Sequence, residues 1–405
     1  MPKSFDIPSI YESPVIRRIK EFRAEQDGMK KDMRPAVLDF GPIRFLIPRH
    51  FGFCYGVQNA IDIAYKTIHE HKGKRIFLLS EMIHNPTVNE DLLRRGVRFL
   101  FDTHGVELIP LDTLTADDIV IVPAFGTTIE MQNRLKAKGI DPYQYDTTCP
   151  FVVKVWRRGE QLGKKGHALV IHGKYQHEET RATFSHAAKD GPVVVVYNVA
   201  EAQILAEFML GKRPFSEFES VFGHKATPGF DPVHDLAKFG VINQTTMLAT
   251  ETSEVMDVLK AAATELGYQF ADTSDTLCYA TNENQSATYG LLEEEADVAI
   301  VVGGYNSSNT LHIVELLERK FPTYHIRDAS EVDSAARIRH FSQWDKQMHA
   351  TEAWFPTHRN PVTVALTSGA SCPDALVDEV ILKLVSFVDG ASTLDDAMAP
   401  YSLTT

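Results

Sequence analysis

The residues best suited to chemistry in this chain are its four cysteines, at positions 54, 149, 278 and 372. Cys54 comes just before a predicted helix at 58–68, and Cys149, followed by Pro150, comes just before a predicted helix at 152–162. A helix N-terminus stabilises the thiolate form of a cysteine placed there. Four cysteines in 405 residues are too few for a disulfide scaffold. Each one is therefore a buried apolar residue, a nucleophile or a metal ligand.

The spacing of the first three cysteines favours a metal site. They form no CxxC pair, which is atypical of a zinc finger or ribbon. The strings Asp146-Thr147-Thr148-Cys149 and Asp275-Thr276-Leu277-Cys278 both place a cysteine between a strand-like and a helical segment. Three thiolates could each bind one iron of a four-iron cluster and leave the fourth iron open to a substrate. Cys372, in a loop of small residues, is predicted to be a neighbour of an anion site and not a ligand.

A second group of residues indicates anion binding. The string Asn306-Ser307-Ser308-Asn309 starts a predicted helix, and Ser371 lies in a similar loop. Hydroxyl, amide and backbone N–H groups at helix starts suit phosphate oxygens. With His84 and His177 at strand-to-helix turns, these residues make a diphosphate ligand plausible. The alternative is that they are ordinary helix N-caps and that the histidines lie in the core or on the surface.

Three classes of function agree with these residues. The first is a cluster-dependent enzyme whose open iron binds the substrate. The second is a non-redox enzyme with a cysteine nucleophile and a histidine base, acting on a phosphorylated substrate. The third is a non-catalytic metal-binding or regulatory module. The residue types alone leave all three open.

The elements that must position these residues follow a repeated order of strand, turn and helix. Short β-branched runs that end in glycine or polar turn residues are predicted as strands at 119–124, 168–172, 193–197, 240–243, 298–302 and 362–367. Helical periods follow them. This alternation is typical of an α/β protein with mostly parallel sheets. The spacing of the cysteines and the similarity of the strings that end at Cys149 and Cys278 predict three similar α/β units of about 100 residues each.

The predicted domain organisation has five parts. They are an N-terminal extension (1–40) packed on the outside with a helix near 16–26, lobe 1 (41–149), lobe 2 (150–277) with a surface insertion at 211–239, lobe 3 (278–390) with a surface insertion at 340–361, and a C-terminal tail (391–405) that wraps or frays.

Composition excludes several classes of protein. An apolar fraction of 44% and a charged fraction of 23% are those of a folded protein. The net charge of −13 disfavours a nucleic-acid binder, which needs a broad basic surface. No run of 18 apolar residues is present, so no membrane span is expected. The acidic, proline-containing start of the chain does not support a secretory signal or plastid targeting, and we expect a bacterial cytoplasmic protein.

Eight motifs between about residue 43 and residue 384 resemble the family of 4-hydroxy-3-methylbut-2-enyl diphosphate reductase, the last enzyme of the methylerythritol phosphate route to isoprenoids. They occur in the order of that family. The motifs are FGFCYGV at 51–57, EMIHNPTVN at 81–89, DTTCP at 146–150, HEET at 177–180, NQTT at 243–246, CYATNENQ at 278–285, NSSNT at 306–310 and TSGASCPD at 367–374.

The resemblance implies a fold, a cofactor and a reaction. The fold would be three α/β lobes in a trefoil arrangement around one central [4Fe–4S] cluster per chain, with Cys54, Cys149 and Cys278 as its three ligands. The hydroxyl of the substrate would bind the fourth iron. Two electrons and two protons would then remove it as water, giving isopentenyl diphosphate and dimethylallyl diphosphate.

The resemblance also implies roles for single residues. Glu179 matches the proton-delivering glutamate of the family, with Thr245 placed to orient or relay the proton. Glu178 is a rival on spacing alone. The positions that match diphosphate contacts are His84, His177, Ser307, Ser308, Asn309 and Ser371, with Thr246 as a lesser candidate.

One position departs from the pattern of many bacterial members. Where they have a histidine before a glycine, this chain has Phe125 before Gly126, and phenylalanine cannot donate a hydrogen bond to phosphate. The string Pro123-Ala124-Phe125-Gly126 looks like the longer plant and cyanobacterial subgroup. Thr127 or Thr128 is the predicted replacement for the missing contact.

The electron donor implied by the resemblance is a ferredoxin or a flavodoxin. The segment after Cys149 is basic, with Lys154, Arg157, Arg158, Lys164 and Lys165. We expect this helix to dock an acidic donor. The alternative is an ordinary solvated helix face.

Overall fold

A computed structural model describes Tyr11, residues 13–29, residues 31–271, Thr273 and residues 276–402. Asp275, the first ten residues of the predicted extension and the last three of the predicted tail lie outside the described residues. The chain forms two compact units, and each is described below by itself. The first unit comprises Met1–Gln58, His84–Val88 and Tyr279–Thr405, and the second comprises Asn59–Ile83 and Asn89–Cys278.

Fourteen strands occur in the described part of the chain. They are β1 (Ala36–Asp39), β2 (Ile43–Ile47), β3 (Ile76–Leu78), β4 (Arg98–Phe99), β5 (Ile119–Ile121), β6 (Ala168–His172), β7 (Val193–Val196), β8 (Lys238–Asn243), β9 (Gln269–Ala271), β10 (Val298–Val302), β11 (Thr323–Ile326), β12 (Arg337–Ser342), β13 (Gln347–Glu352) and β14 (Val362–Ser368).

The same residues contain thirteen α-helices. They are α1 (Pro14–Gln26), α2 (Tyr55–Glu70), α3 (Pro86–Arg94), α4 (Ile129–Ala137), α5 (Pro150–Gly163), α6 (Glu178–Ala187), α7 (Val199–Met209), α8 (Phe218–Phe222), α9 (Ala249–Leu266), α10 (Tyr279–Leu292), α11 (Ser308–Leu317), α12 (Asp374–Val385) and α13 (Leu394–Met398). Among these described helices, none is both long enough and apolar enough to span a membrane.

The first unit is built on a seven-stranded sheet. Its strand order is β1-β2-β14-β10-β11-β12-β13, and the four strands from β2 to β11 are parallel. All five residues of β10 are buried, as expected for a parallel strand covered on both faces. Val302 at the end of β10 is paired with Ser368 at the end of β14. The loops that follow these two strands, before α11 and α12, therefore leave the same edge of the sheet.

In the described part of the predicted N-terminal extension, helix α1 and strand β1 pack against the core of the first unit. Helix α1 begins after Ser13, whose hydroxyl oxygen accepts a hydrogen bond from the N–H of Ile16. Val15, Ile16 and Ile19 are at most 3% exposed and join the core of the seven-stranded sheet. Their spacing puts them on one face of a helix, so burying that face stabilises the segment. Strand β1 extends the sheet by pairing with β2.

The predicted surface insertion at 340–361 is largely a β-hairpin. Strands β12 and β13 pair antiparallel and add to the edge of the seven-stranded sheet. Strand β13 is mainly exposed, and its only apolar residues are Met348 and Ala350, so its alternation is too short to predict a strand. The tail is ordered as far as it is described, with Ala397, Met398 and Tyr401 buried.

The second unit contains two parallel sheets. One has the order β4-β3-β5, and the other has the order β7-β6-β8-β9. Strands β6 and β7 are buried along their whole length and pack against α5, α7 and α9. The predicted insertion at 211–239 contains the short helix α8 and holds Phe218, Phe222 and Phe230 in the core of this sheet.

The predicted fold class is confirmed, because strands and helices alternate and the sheets are mainly parallel. The lobe boundaries stay a prediction. Strand β2, at the start of predicted lobe 1, pairs with β14 of predicted lobe 3.

Candidate active site

The three predicted cluster ligands lie at the starts of helices. Cys54 directly precedes α2, Cys149 is the N-cap residue of α5, and Cys278 directly precedes α10. None of the three forms a disulfide bond. Burial raises the pKa of the Cys54 thiol, while the N–H groups of Val57 and Gly56 oppose this rise by hydrogen bonding to the sulfur. Helix starts of this kind favour thiolate ligands.

The thiol group of a cysteine is chemically suited to bind iron in an iron–sulfur centre. Among the described residues, no group of three or more His, Cys, Asp or Glu side chains is arranged to hold a metal ion. Thiols are the usual ligands of iron in such centres, and Cys278 is only 8% exposed. Cys54 belongs to the first unit, and Cys149 and Cys278 belong to the second.

Cys372 differs from the other three cysteines. It is 0% exposed and belongs to the apolar core of the seven-stranded sheet. Burial raises the pKa of its thiol, and Asp374 raises it further. Its sulfur donates to the carbonyl oxygen of Pro373 at 3.5 Å. This environment supports the prediction that Cys372 is not a ligand.

Thr245 holds the carboxylate of Glu179 through two hydrogen bonds. The backbone N–H of Thr245 donates to Oε1 of Glu179 at 2.6 Å, and its hydroxyl donates to Oε2 at 3.0 Å. Glu179 is 2% exposed and lies in the first turn of α6, where the helix dipole stabilises a negative charge. The carbonyl oxygen of Thr245 accepts the N–H of Cys278 at 3.2 Å. A single residue therefore connects the predicted acid with a predicted cluster ligand.

Glu178 points to a different place from Glu179. Its carboxylate accepts a hydrogen bond from the hydroxyl of Ser80. Glu178 and Ser80 line a cavity of about 320 Å³, together with Thr127 and Thr128. The hydroxyl oxygen of Thr128 also caps α4 by accepting the N–H of Met131 at 3.2 Å. Glu178 and Glu179 therefore have different surroundings, a distinction that their sequence spacing does not provide.

His177 connects Glu179 with the segment that contains Phe125. Nδ1 of His177 accepts the N–H of Glu179 at 3.2 Å and so caps α6. In the neutral ring this bond leaves the proton on Nε2, which can then donate. The ring of Phe125 packs edge-on against His177, with 5.7 Å between ring centroids. The carbonyl oxygen of Ala124 accepts the N–H of Cys149 at 2.9 Å.

Thr246 follows Thr245 in the chain and belongs to the second unit. It is half-buried, and its hydroxyl oxygen accepts Nε2–H of Gln244 at 2.8 Å. Oε1 of Gln244 accepts from the backbone N–H of Lys174 at 3.1 Å and from the hydroxyl of Thr180 at 3.0 Å. Gln244 therefore joins the NQTT segment to the start of α6. Gln244 lies in the NQTT motif, but a glutamine side chain alone does not indicate a site residue.

The first unit brings four predicted anion contacts together at the ends of β10 and β14. The hydroxyl of Ser371 donates to the backbone carbonyl of His84 at 3.1 Å and lies 3.5 Å from the hydroxyl of Ser307. Ser307 is the N-cap of α11, which begins with Ser308. Ligands of α/β proteins bind at the carboxyl ends of parallel strands, where such loops meet.

Asn309 connects this edge of the sheet to Cys54. Its Oδ1 accepts the N–H of Ala370 at 2.8 Å and Nδ2–H of Asn284 at 3.4 Å. The carbonyl oxygen of Ala370 in turn accepts the N–H of Cys54 at 3.3 Å. Asn309 is 2% exposed and its Nδ2 has no hydrogen-bond partner among the described residues, which leaves a buried donor for a ligand.

Two glycines permit this close packing. A Cβ on Gly304 would overlap the carbonyl oxygen of His84, and a Cβ on Gly369 would overlap the hydroxyl of Thr310. Only glycine fits at these positions without moving a neighbour. The functional residues that the sequence analysis missed are thus Asn284, Gln244 and these two glycines, all inside or beside the motifs that it quoted.

Comparison with known proteins identifies the family. The LytB protein family model matches residues 45–385. A 4-hydroxy-3-methylbut-2-enyl diphosphate reductase of Synechocystis sp. is 37% identical over 367 residues, covering 89% of this chain and 94% of its own length. The protein of the same name from Parasynechococcus marenigrum is 39% identical over 355 residues and covers 86% of both chains. The match to cyanobacterial proteins agrees with the resemblance drawn from the motifs.

Solved structures show the same fold. The E-1-hydroxy-2-methyl-but-2-enyl-4-diphosphate reductase from Plasmodium falciparum superposes with a TM-score of 0.59 at 21% identity, covering 83% of this chain and 86% of that one. A structure of (E)-4-hydroxy-3-methyl-but-2-enyl diphosphate reductase gives a TM-score of 0.50 at 24% identity, covering 83% and 97%. The chain therefore belongs to the LytB protein family, the family of the 4-hydroxy-3-methylbut-2-enyl diphosphate reductases.

Proposed function

We propose that this chain reduces 4-hydroxy-3-methylbut-2-enyl diphosphate to isopentenyl diphosphate and dimethylallyl diphosphate. The reaction consumes two electrons and two protons and releases the substrate hydroxyl as water. The observation that carries the proposal is the position of Thr245, which binds the carboxylate of Glu179 and accepts the N–H of Cys278. This link between the proposed proton source and the backbone of a proposed cluster ligand supports the proposal.

Cys54, Cys149 and Cys278 are the proposed ligands of one [4Fe–4S] cluster. When bound, such a cluster supplies electrons and Lewis acidity at an iron that lacks a protein ligand. Each cysteine N–H is fixed by a backbone carbonyl of a loop that also carries predicted substrate contacts: Ala370 for Cys54, Ala124 for Cys149 and Thr245 for Cys278. Within each unit, a loop with proposed substrate contacts therefore fixes the backbone of each proposed ligand, which supports the proposal.

Glu179 is the proposed proton source. Hydroxide is a poor leaving group, and protonation as the C–O bond breaks converts it to water. The carboxyl group is buried, so bulk water does not compete for its proton. The hydroxyl of Thr245 can accept a hydrogen bond from the acid form of Glu179 and donate one to its carboxylate form. It thereby holds the same geometry before and after proton transfer.

The diphosphate is proposed to bind through neutral donors. This suits a chain of net charge −13, because hydroxyl, amide and imidazole N–H groups bind phosphate oxygens without a basic surface. The proposed contacts are His84, Ser307, Ser308, Asn309 and Ser371 in the first unit and His177 and Thr246 in the second. Thr127 or Thr128 is proposed to supply the contact that Phe125 cannot make.

A ferredoxin or flavodoxin is the proposed electron donor, with α5 as its docking element. Lys154 and Arg157 are exposed on this helix, which begins directly after Cys149. Arg157 also lines a small surface groove with Trp156, whose indole stacks on His186 at 3.8 Å. An acidic donor would be attracted to this face. The bacterial cytoplasmic location and the absence of a nucleic-acid partner stay predictions.

Replacement of the two neighbouring glutamates tests the proposal. Glu179→Gln keeps the size of the side chain but removes the transferable proton. We expect it to lower reductant-driven turnover by about 100-fold or more, with the cluster absorbance unchanged. The matched control, Glu178→Gln, should retain turnover because Glu178 contacts Ser80 instead. Normal turnover of Glu179→Gln, or equal losses in both variants, would contradict the assignment of the acid.

A further inference from the structure

We propose that Tyr305 is a positioning residue that fixes the diphosphate-binding loop between β10 and α11. The loop comprises residues 303–307 and ends at Ser307, the N-cap of α11. The inference rests on the proposed function, because it requires that Ser307 and its neighbours bind diphosphate. Tyr305 itself is assigned no contact with the substrate.

The hydroxyl of Tyr305 is bound to a buried carboxylate. It donates to the carboxylate of Glu331, with both oxygens in hydrogen-bonding range. Glu331 is 5% exposed, and its Oε2 also accepts the backbone N–H of Arg327 at 2.7 Å. The carboxylate is therefore fixed by its own segment before it receives the phenol. A hydrogen bond to a buried, already oriented partner restricts the tyrosine strongly.

The ring of Tyr305 is fixed as well. It stacks on Phe341, with ring centroids 4.7 Å apart and an angle of 13° between the planes. It also meets the edge of His325 at 5.1 Å and 82°. His325 is 1% exposed, and its Nε2 lies 3.1 Å from the carbonyl oxygen of Gly303, to which it donates in the neutral ring. The same aromatic cluster thus holds both Gly303 and Tyr305.

These contacts give the hairpin insertion a role in the site. Phe341 belongs to β12, and β12 pairs with β11 through His325. The hairpin therefore forms one wall of the cluster that holds the loop. On the other side of the loop, the backbone of Gly304 lies against the carbonyl oxygen of His84. A loop held on both sides presents its donors in one arrangement, and a ligand then loses less free energy in ordering it.

Tyr305→Phe removes only the hydroxyl and keeps the ring that packs on Phe341 and His325. Tyr324→Phe is the matched control. Tyr324 lies on β11 and also packs in an aromatic cluster, with ring centroids 5.0 Å from His340 and 5.4 Å from Trp354. Both variants are compared with the wild-type holoenzyme under anaerobic conditions. The measurements are calorimetric binding of inorganic diphosphate and the KM and kcat of reductant-driven turnover.

We expect Tyr305→Phe to raise both the Kd of inorganic diphosphate and the KM by about five- to tenfold, because the loop would spend less time in the binding arrangement. The kcat should stay within about twofold, since the acid and the thiols are untouched, and Tyr324→Phe should change neither constant. An unchanged Kd in Tyr305→Phe, or equal changes in both variants, would overturn the inference.

Failure of the proposed function gives a different result. A wild-type holoenzyme that binds inorganic diphosphate but does not reduce the substrate would overturn the reaction, and the effect of Tyr305→Phe on Kd would still decide the role of Tyr305. A wild-type holoenzyme that does not bind inorganic diphosphate would overturn both.

Discussion

Thr245→Val isolates one of the two hydrogen bonds that hold Glu179. The backbone N–H bond of 2.6 Å to Oε1 remains in the variant, and the hydroxyl bond of 3.0 Å to Oε2 is lost. Valine has nearly the same shape as threonine, so the packing around residue 245 should be kept. The substitution therefore tests the hydroxyl and not the volume of the side chain.

The size of the effect follows from burial and charge. Thr245 is 5% exposed and Glu179 is 2% exposed, so water cannot replace the lost donor. A hydrogen bond to a charged group contributes about 1.5–3 kcal/mol. The hydroxyl favours the carboxylate over the acid form, and each 1.36 kcal/mol of such preference corresponds to one pH unit. The same hydroxyl can also bond the acid form, for about 0.5–1.5 kcal/mol, so its net preference for the carboxylate is about 1–1.5 kcal/mol. Loss of the hydroxyl should therefore let Glu179 keep its proton to a pH about one unit higher.

The assay is the pH dependence of kcat with an artificial reductant, which reports groups that titrate in the substrate complex. We expect the limb on which activity falls with rising pH to move upward by about one unit in Thr245→Val. Thr245→Ser, which keeps the hydroxyl, should retain the wild-type profile. If the limb stays in place in Thr245→Val, or moves equally in Thr245→Ser, then the hydroxyl does not control the proton on Glu179.

Two further predictions concern the N-terminal helix and the donor. Burial raises the pKa of Asp378 to about 6, although its carboxylate accepts hydrogen bonds from Ser13 and Ile16. The native state therefore holds this proton more tightly than the unfolded state, and its stabilising effect is lost as the pH rises through about 6. Between pH 3.5 and pH 7, the free energy of unfolding of the wild type should fall by about 3 kcal/mol relative to that of Asp378→Asn. A difference between the two proteins that does not change with pH would refute this. Charge reversal at Arg157 and Arg158 should slow ferredoxin-driven turnover about tenfold more than dithionite-driven turnover, and equal slowing would exclude α5 as the docking helix.

The parallel strands were predictable because their apolar runs are short and end in turn residues. Strand β10 is an example, with five apolar residues that are all buried. The hairpin of β12 and β13 was not predictable, because β13 is mainly exposed and its alternation consists of Met348 and Ala350 alone. Helix α1 was placed near its observed position, but its burial against the sheet depends on contacts with residues near the other end of the chain, such as Asp378.

The residue types of the site were predictable, but their contacts were not. Ser371 and His84 meet across 287 residues of sequence, and no local pattern encodes that pairing. The choice of Glu179 over Glu178 depends on the resemblance, and their different contacts, with Thr245 and with Ser80, could not be predicted from spacing. The role of Tyr305 was not predictable, because its partners His325, Glu331 and Phe341 come from later segments that carry no motif.

The most direct test of the central claim is the iron and acid-labile sulfide content of four single Cys→Ala variants purified without oxygen. The wild type should contain about four of each per chain. Cys54→Ala, Cys149→Ala and Cys278→Ala should each lose most of this content. Cys372→Ala should keep it, because Cys372 is buried in the apolar core. A wild type without iron, or a cluster that survives loss of Cys54, Cys149 or Cys278 and disappears with Cys372, would contradict the account.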